Sequence, residues 1–262
     1  MKIYSDFRKA VIDLGLKLTS PQAMKVSGNW QSTDSTNKFL ELLNQSFQVP
    51  IRRDLFEREL EPSQPWADTH FKERVSNIAH NPPPSHEIWP WAYKKNEEFT
   101  QDTKFSHTYP ERMWPKKAWD AETRPANGVH TGIRYEYGDA SDVLKLMRKD
   151  PNTRQAFLPI WFPEDTGANS GQRVPCTLGY HFIQREGFVH VTYYMRSCDY
   201  LRHMRDDIYL AIRLLDWVTK NISDSYQYQM GIFTMHIVSL HCFESDRYEI
   251  IKQLKKWQNP EN

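Results

Sequence analysis

Four short stretches of this chain carry side chains that can do chemistry. Pro175-Cys176-Thr177 sets a thiol just ahead of an apolar, strand-like run, where a thiolate would be a nucleophile. Arg196-Ser197-Cys198-Asp199 closes a later run of the same kind. Its planar guanidinium fork and hydroxyl are donors that an oxyanion or a phosphate can take. Arg205-Asp206-Asp207 opens a helical segment, and His241 ends another apolar run. Each stretch also has an ordinary structural reading. A lone cysteine is commonly a small core residue, acids at a helix start are caps and dipole partners, and a histidine at a strand end is commonly held within the fold. Individually these signals are weak; their order and spacing give them weight.

The elements that must position these residues follow from periodicity. Phe7, Ala10, Val11 and Leu14 predict an amphipathic helix over 7–18, closed by Ser20-Pro21. Phe39 to Leu43 and Phe47 to Ile51 read as a strand with an irregularity, and Arg52 to Glu61 as a charged helix limited by Pro62. Residues 62–128, rich in Trp and Pro, read as an irregular but ordered segment wrapped over a cleft. Asp139 to Lys149 is a helix capped by Asp139 or Ser141. Strands are expected at 156–162, 178–184 and 188–194, the last two joined at Arg185-Glu186-Gly187. A strongly apolar helix at 207–222, a strand at 232–240 and a helix at 247–257 complete the pattern. The class is α+β: a mixed or mostly antiparallel sheet with helices packed on it, in one domain over 1–262.

Composition narrows the function classes. With 34 basic and 33 acidic residues in 262, the net charge is +1, which argues against a protein that lives on nucleic-acid phosphates or an anionic membrane. No apolar run approaches the roughly 20 residues of a membrane span, and Met1 to Asp6 does not open a signal peptide. The three cysteines lack zinc-like spacing, so no metal site is expected, and a reducing, cytoplasmic address is the default. The 9 Trp, 13 Tyr and 13 Phe supply many stacking surfaces.

Taken in order, Asp150-Pro151-Asn152-Thr153-Arg154, Pro175-Cys176, Arg196-Ser197-Cys198-Asp199, Asp207 and His241-Cys242-Phe243 resemble the thymidylate synthases and their pyrimidine-nucleotide hydroxymethylase relatives. The amino-terminal half adds looser matches at Glu59-Leu60, Asp68-Thr69, Ile88-Trp89-Pro90-Trp91-Ala92 and Tyr109-Pro110-Glu111-Arg112. The resemblance implies a thymidylate-synthase-like fold whose sheet face forms a homodimer interface. It implies a pyrimidine deoxynucleoside monophosphate as substrate and 5,10-methylenetetrahydrofolate as cofactor. Cys176 would add to C6 of the base and make C5 nucleophilic. Arg196 and Ser197 would hold the 5′-phosphate, with Arg154 reaching in from a second subunit. His241 and Tyr109 would contact the nucleotide, and Asp199, Trp89 and Trp91 the folate. Glu59 would order and deprotonate a water.

Departures from the family pattern refine the expectation. Synthases acting on uracil carry Asn where this chain has Asp207, and a carboxyl group suits the N3 acceptor and N4–H₂ donor of cytosine better than a carboxamide does. Thr177 and Met195, where synthases usually have His and Gln, likewise resemble the deoxycytidylate hydroxymethylases of phages, in which water quenches the intermediate. Gln155 stands where a second phosphate arginine is common, the loop from Asn29 to Asp34 has no arginine to supply another, and Phe243 replaces a sugar-binding Tyr. Either the Trp-rich segment 62–128 covers the folate or cofactor use differs from the family's. The expected activity is deoxycytidylate 5-hydroxymethyl transfer. The alternatives are thymidylate synthesis or hydroxymethylation on dUMP, and a catalytically idle nucleotide binder.

Overall fold

The computed structural model describes residues 1–29, 36–91, 100–101, 104–118, 138–166, 173–225 and 227–258. Strand β1 (Lys2–Ile3) leads into α1 (Phe7–Leu18), β2 (Met24–Asn29), β3 (Thr36–Pro50), α2 (Phe56–Leu60) and α3 (Trp66–Arg74). A 3-10 turn at Pro84–Ile88 precedes β4 (Thr100–Gln101), β5 (Lys104–Phe105), α4 (Tyr109–Met113) and α5 (Pro115–Ala118). Then come α6 (Ala140–Lys149), β6 (Phe157–Pro159), α7 (Pro163–Thr166), β7 (Thr177–Arg185), β8 (Phe188–Asp199), α8 (Met204–Asn221), β9 (Gln229–Phe243) and α9 (Arg247–Gln258).

Seven strands form one mixed sheet in the order β1-β3-β9-β8-β7-β6, with β2 also on β3. The β8–β9 and β1–β3 pairs are parallel; the others are antiparallel. Glu186 (φ 52°) and Gly187 (φ 81°) turn the β7–β8 hairpin, because a two-residue turn that matches strand twist needs left-handed backbone at both positions. The irregularity expected in the 39–51 strand falls at Asn44, which adopts φ 52°. Gly179 is required by close approach: a Cβ there would lie 2.7 Å from the Leu158 carbonyl oxygen of β6.

Alternation along β8 separates the two faces. Val189, Val191, Tyr193 and Met195 are buried, while His190, Thr192 and Tyr194 are half-buried. The buried face continues through Phe233, Met235 and Ile237 of β9 and is covered by α1 and α8. The apolar stripe of α8 (Ile208, Ala211, Ile212, Leu215) is nearly inaccessible to water. The opposite face carries Tyr194 stacked on His236 at 5.3 Å and the exposed Val238.

Two expectations change. The helix expected over 52–61 is only Phe56–Leu60, following a turn from Arg52. The 62–128 segment is less irregular than its composition implies, since it contains α3, the 3-10 turn, α4 and α5; residues 92–99, 102–103 and 119–128 of it lie outside the described residues. Helix α3 has no apolar stripe because half of what it buries is polar: Trp66, Ala67 and Phe71 beside His70, Glu73 and Arg74. A helix that lines a polar cavity escapes a search for hydrophobic periodicity.

Candidate active site

A cavity of about 540 Å³ opens between the strand ends of β7, β8 and β9, the start of α8, α3 and the turn after it. Cys176 lies on its wall at the mouth of β7. The pairing of β7 with β8 shifts by one residue between Thr177 and Gly179, a bulge of the kind that re-aims side chains beside functional sites. Arg196 locks this corner. Its backbone N–H donates to the Cys176 carbonyl at 2.9 Å, its Nε to the Pro175 carbonyl at 2.8 Å and its Nη2 to the Val174 carbonyl at 3.0 Å. The Cys176 sulfur then faces the Ser197 hydroxyl at 3.4 Å and Arg196 Nη2 at 3.9 Å. The sulfur thus meets one hydroxyl donor and one guanidinium at the cavity wall.

Arg173 lines the same cavity, and burial together with the charge of Arg196 pushes its proton affinity down. The Ser106 hydroxyl and His107 Nδ1–H both donate to the Arg173 carbonyl, at 2.9 and 3.0 Å, which pins the strap that delivers Cys176. Tyr109 is set by α4, whose start is closed by a Thr108–Glu111 capping box and whose Arg112 makes a buried fork to Asp165 at 2.8 and 2.9 Å. The Tyr109 hydroxyl reaches Thr177 Oγ1 at 2.9 Å, which reaches the Tyr193 hydroxyl at 2.8 Å.

The first turn of α8 separates its two acids. Asp206 accepts the Ser63 backbone N–H at 2.7 Å, whereas Asp207 lines the cavity with the Cys198 thiol 3.9 Å from its Oδ2. Burial pushes Asp207 up to about 7, and the negative charges of Asp206 and Asp199 add to this, while Arg74 opposes it. The cavity histidines are held the other way. Burial pulls His70 and His203 down to about 4 and lowers His107 and His241 as well, so the imidazoles are neutral near pH 7. Trp89 stacks on His203 at 5.5 Å and approaches Trp66, giving one wall a flat aromatic surface.

A family model described as thymidylate synthase matches residues 81–262, well over half of the chain. The chain belongs to the thymidylate synthase family. A Methanosarcina barkeri protein named "Putative thymidylate synthase" is 27% identical over 163 residues, 62% of this chain and 63% of that one, so the match spans less than two thirds of that relative. A Methanocaldococcus jannaschii protein of the same name is 24% identical over 203 residues, covering 71% and 83%. Among solved structures, the thermostable thymidylate synthase A from Bacillus subtilis superposes with a TM-score of 0.67 at 14% identity, covering 96% of this chain and 84% of that one, which establishes the shared fold.

Within this thymidylate synthase fold, Cys176, Asp207, Arg196, Ser197, His241, Tyr109, Asp199 and Trp89 all line the cavity. Asp199 also holds the turn after β8, where its carboxylate accepts the N–H groups of Leu201 and Arg202 at 3.0 Å. Three predicted residues do not line it. Glu59 stands elsewhere than expected: its Oε2 accepts the Phe7 N–H at 3.0 Å at the start of α1 and its other oxygen pairs with Arg52. Trp91 lies against the Arg202 guanidinium, 5.6 Å from ring centre to Cζ. Arg154 is exposed, and its carbonyl accepts from His181 on β7. Glu73 does not line the cavity either, but it lies directly behind the lining residues His70 and Ser85. It accepts the Ser85 N–H and O–H, both at 2.6 Å, and sits 3.4 Å from His70 Nδ1. Glu73 precedes a basic residue in a polar helix, and no spacing in the sequence marks it apart from Glu59. Arg173 was equally hidden, three residues before the thiol; residues 30–35, within the loop searched for another phosphate arginine, lie outside the described residues.

Proposed function

We infer that this chain transfers a one-carbon unit to C5 of a pyrimidine deoxynucleoside monophosphate, with deoxycytidylate as substrate and a hydroxymethyl group as the product's new substituent. Asp207 is the observation that carries the choice of base. A carboxyl group that is half neutral near pH 7 can donate its O–H to N3 of cytosine and accept from N4–H₂ through its other oxygen. Uracil presents the reverse pattern, and a mismatch leaves buried polar groups unpaired, at about 1–3 kcal/mol each.

The remaining roles follow from the cavity wall. Cys176 adds to C6 and raises electron density at C5, with the Ser197 hydroxyl and the Arg196 guanidinium beside its sulfur. Arg196 and Arg173 bring two guanidinium groups to one corner, an arrangement suited to a phosphate dianion. The flat wall of Trp89 and Trp66, with Asp199 nearby, suits a pterin ring, and methylenetetrahydrofolate bound there would supply carbon at the oxidation level of formaldehyde. Glu73, backed by Ser85 and His70, takes the water-ordering role expected of Glu59. A homodimer through the half-exposed sheet face, with Arg154 of one subunit completing its partner's phosphate site, is consistent with the exposure of Arg154 beside that face.

Thymidylate synthesis on dUMP is the second reading, favoured by the names of the relatives and by Arg74, whose guanidinium could donate to O4 beside an ionised Asp207. Tritium release from C5 separates the two. With methylenetetrahydrofolate present, release from labelled dCMP at least about tenfold faster than from dUMP supports the deoxycytidylate reading, because one mispaired buried group is worth about that factor. Faster release from dUMP rejects it.

A further inference from the structure

Arg74 is the buried cation of the cavity that the proposed reaction leaves without a settled role. It follows Glu73 in α3, is 3% exposed and lines the cavity. Its guanidinium lies over the Tyr109 ring at 3.9 Å. Its Nη1 donates to the Tyr180 hydroxyl at 3.4 Å and its Nη2 to His70 Nε2 at 3.0 Å, while Nε is buried with no hydrogen-bond partner among the described residues. No carboxylate forms a direct ion pair with it among the described residues. Burying a guanidinium without a paired acid is costly, and an apolar side chain would fill the space more cheaply.

Two carboxyl groups flank this cation. Arginine can only donate, so its bond makes His70 Nε2 an acceptor and leaves the imidazole proton on Nδ1. That nitrogen lies 3.0 Å from Ser85 Oγ and 3.4 Å from Glu73 Oε2. The far end of Glu73 is thereby surrounded by donors from Ser85 and His70. On the other side stands Asp207, beyond ion-pair distance but acting on the same Tyr109 and Tyr180 that Arg74 touches.

We propose that Arg74 is a positioning residue that acts on two carboxyl groups: its bond to His70 Nε2 turns the imidazole Nδ1–H toward Ser85 and Glu73, and its guanidinium, without a paired acid among the described residues, lines the same cavity as Asp207. Every element around Asp207 bears on its protonation. Asp206 on α8 and Asp199 on β8 raise its affinity for a proton, Arg74 on α3 lowers it, and the Cys198 thiol donates to it. Tyr109 lines the cavity with the buried Tyr180 and Tyr193 behind it, and burial keeps all three hydroxyls neutral. Glu73 is lowered by its bonds to His70 and Ser85 against the effect of burial. Asp207 on the cavity wall and Glu73 behind His70 and Ser85 are displaced in opposite directions, the pattern expected of a proton donor and a carboxylate.

This inference rests on the reading that Asp207 faces the base, and its test keeps the two apart. Binding of dCMP and of dUMP to the full-length protein is followed by tryptophan fluorescence from pH 5 to 9. Folate-independent exchange of the C5 hydrogen is measured in parallel, for the wild type, Arg74→Lys, Arg74→Gln, Arg74→Met and His70→Gln. In the Gln and Met variants at position 74 the pH midpoint of base-dependent binding moves up by about one unit, as loss of a nearby opposite charge requires. Their exchange rate falls at least about tenfold, as for loss of a positioned proton-transfer group. Arg74→Lys keeps the midpoint, and His70→Gln slows exchange without moving it. An unmoved midpoint in Arg74→Gln and Arg74→Met, or an equal shift in Arg74→Lys, overturns the proposal. So does failure of all three position-74 variants to fold, which would make Arg74 structural. A midpoint that behaves as expected in a protein preferring dUMP sinks the deoxycytidylate reading and leaves the role of Arg74 standing.

Discussion

On one side of the cavity Cys176, Arg196, Ser197, Asp199 and His241 stand at neighbouring strand ends; on the other, His70, Arg74, Ser85 and Trp89 come from α3 and the turn that follows, with Glu73 behind them. The strand side is held by backbone pairing. Ser197 faces Ser239 and Asp199 faces His241 in the β8–β9 ladder, so short sequence motifs translate directly into neighbouring side chains. The helical side is held by side-chain bonds among buried polar groups, which follow no apolar period. The comparison teaches that a ladder preserves the meaning of a local motif, whereas a polar helix hides which of several acids faces the cavity.

The sharpest way to break this contrast is at the strand side. Cys176→Ala should abolish both product formation and folate-independent exchange of the C5 hydrogen, since both need the C6 adduct. Exchange surviving in that variant would remove the thiol from the chemistry. On the helical side, Glu73→Gln should lower turnover at least about a hundredfold while nucleotide still binds, the scale expected for a lost proton-transfer group. Glu59→Gln should leave turnover unchanged and lower stability by about 0.5–1 kcal/mol in thermal unfolding, because it weakens the acceptor at the start of α1 and the exposed pair with Arg52. Equal activity losses in the two variants would erase the distinction between these acids.

Asp207→Asn should swing preference from cytosine toward uracil at least about tenfold in relative kcat/KM, with Asp206→Asn as the unaffected control. The same variant sharpens the electrostatic argument. Asp207 is raised to about 7 in the fold from 3.8 when free, so the folded state binds more protons between those values and stability falls as pH rises through that window. Asp207→Asn should therefore melt higher than the wild type at pH 8, with the gap closing toward pH 4; a constant gap would contradict the burial account. The smallest effect expected on the nucleotide is at Arg173. Arg173→Gln should raise KM for the monophosphate about tenfold and leave kcat little changed, as for a lost charged hydrogen bond. A kcat loss without a KM change would tie Arg173 to the chemistry instead.

Much of the fold was legible because its elements are strongly patterned. Phe7–Leu18 and the apolar α8 carry clear helical stripes, and the Glu186-Gly187 turn marks the β7–β8 hairpin. The spacing of the family resemblance favours Asp207 over its competitor Asp206; the fold places Asp207 on the cavity wall while the Ser63 N–H holds Asp206. The placement of Glu59 at the start of α1 is not legible, because Glu-Leu at a helix end looks alike whether it faces a cavity or another helix. Arg74 and Arg173 gave no signal, since an arginine in a polar stretch is most simply a solvated one, and only the packing of α3 and the 173–176 strap brings them inside.

The central claim is that a neutral carboxyl at Asp207 selects cytosine for hydroxymethylation. Its most direct test is the product formed from equimolar dCMP and dUMP with methylenetetrahydrofolate at pH 6.5, resolved by mass spectrometry. The account predicts 5-hydroxymethyl-dCMP as the main product with tetrahydrofolate released, and a declining share of it as the pH is raised above 7. A methylated uracil nucleotide accompanied by dihydrofolate would contradict it.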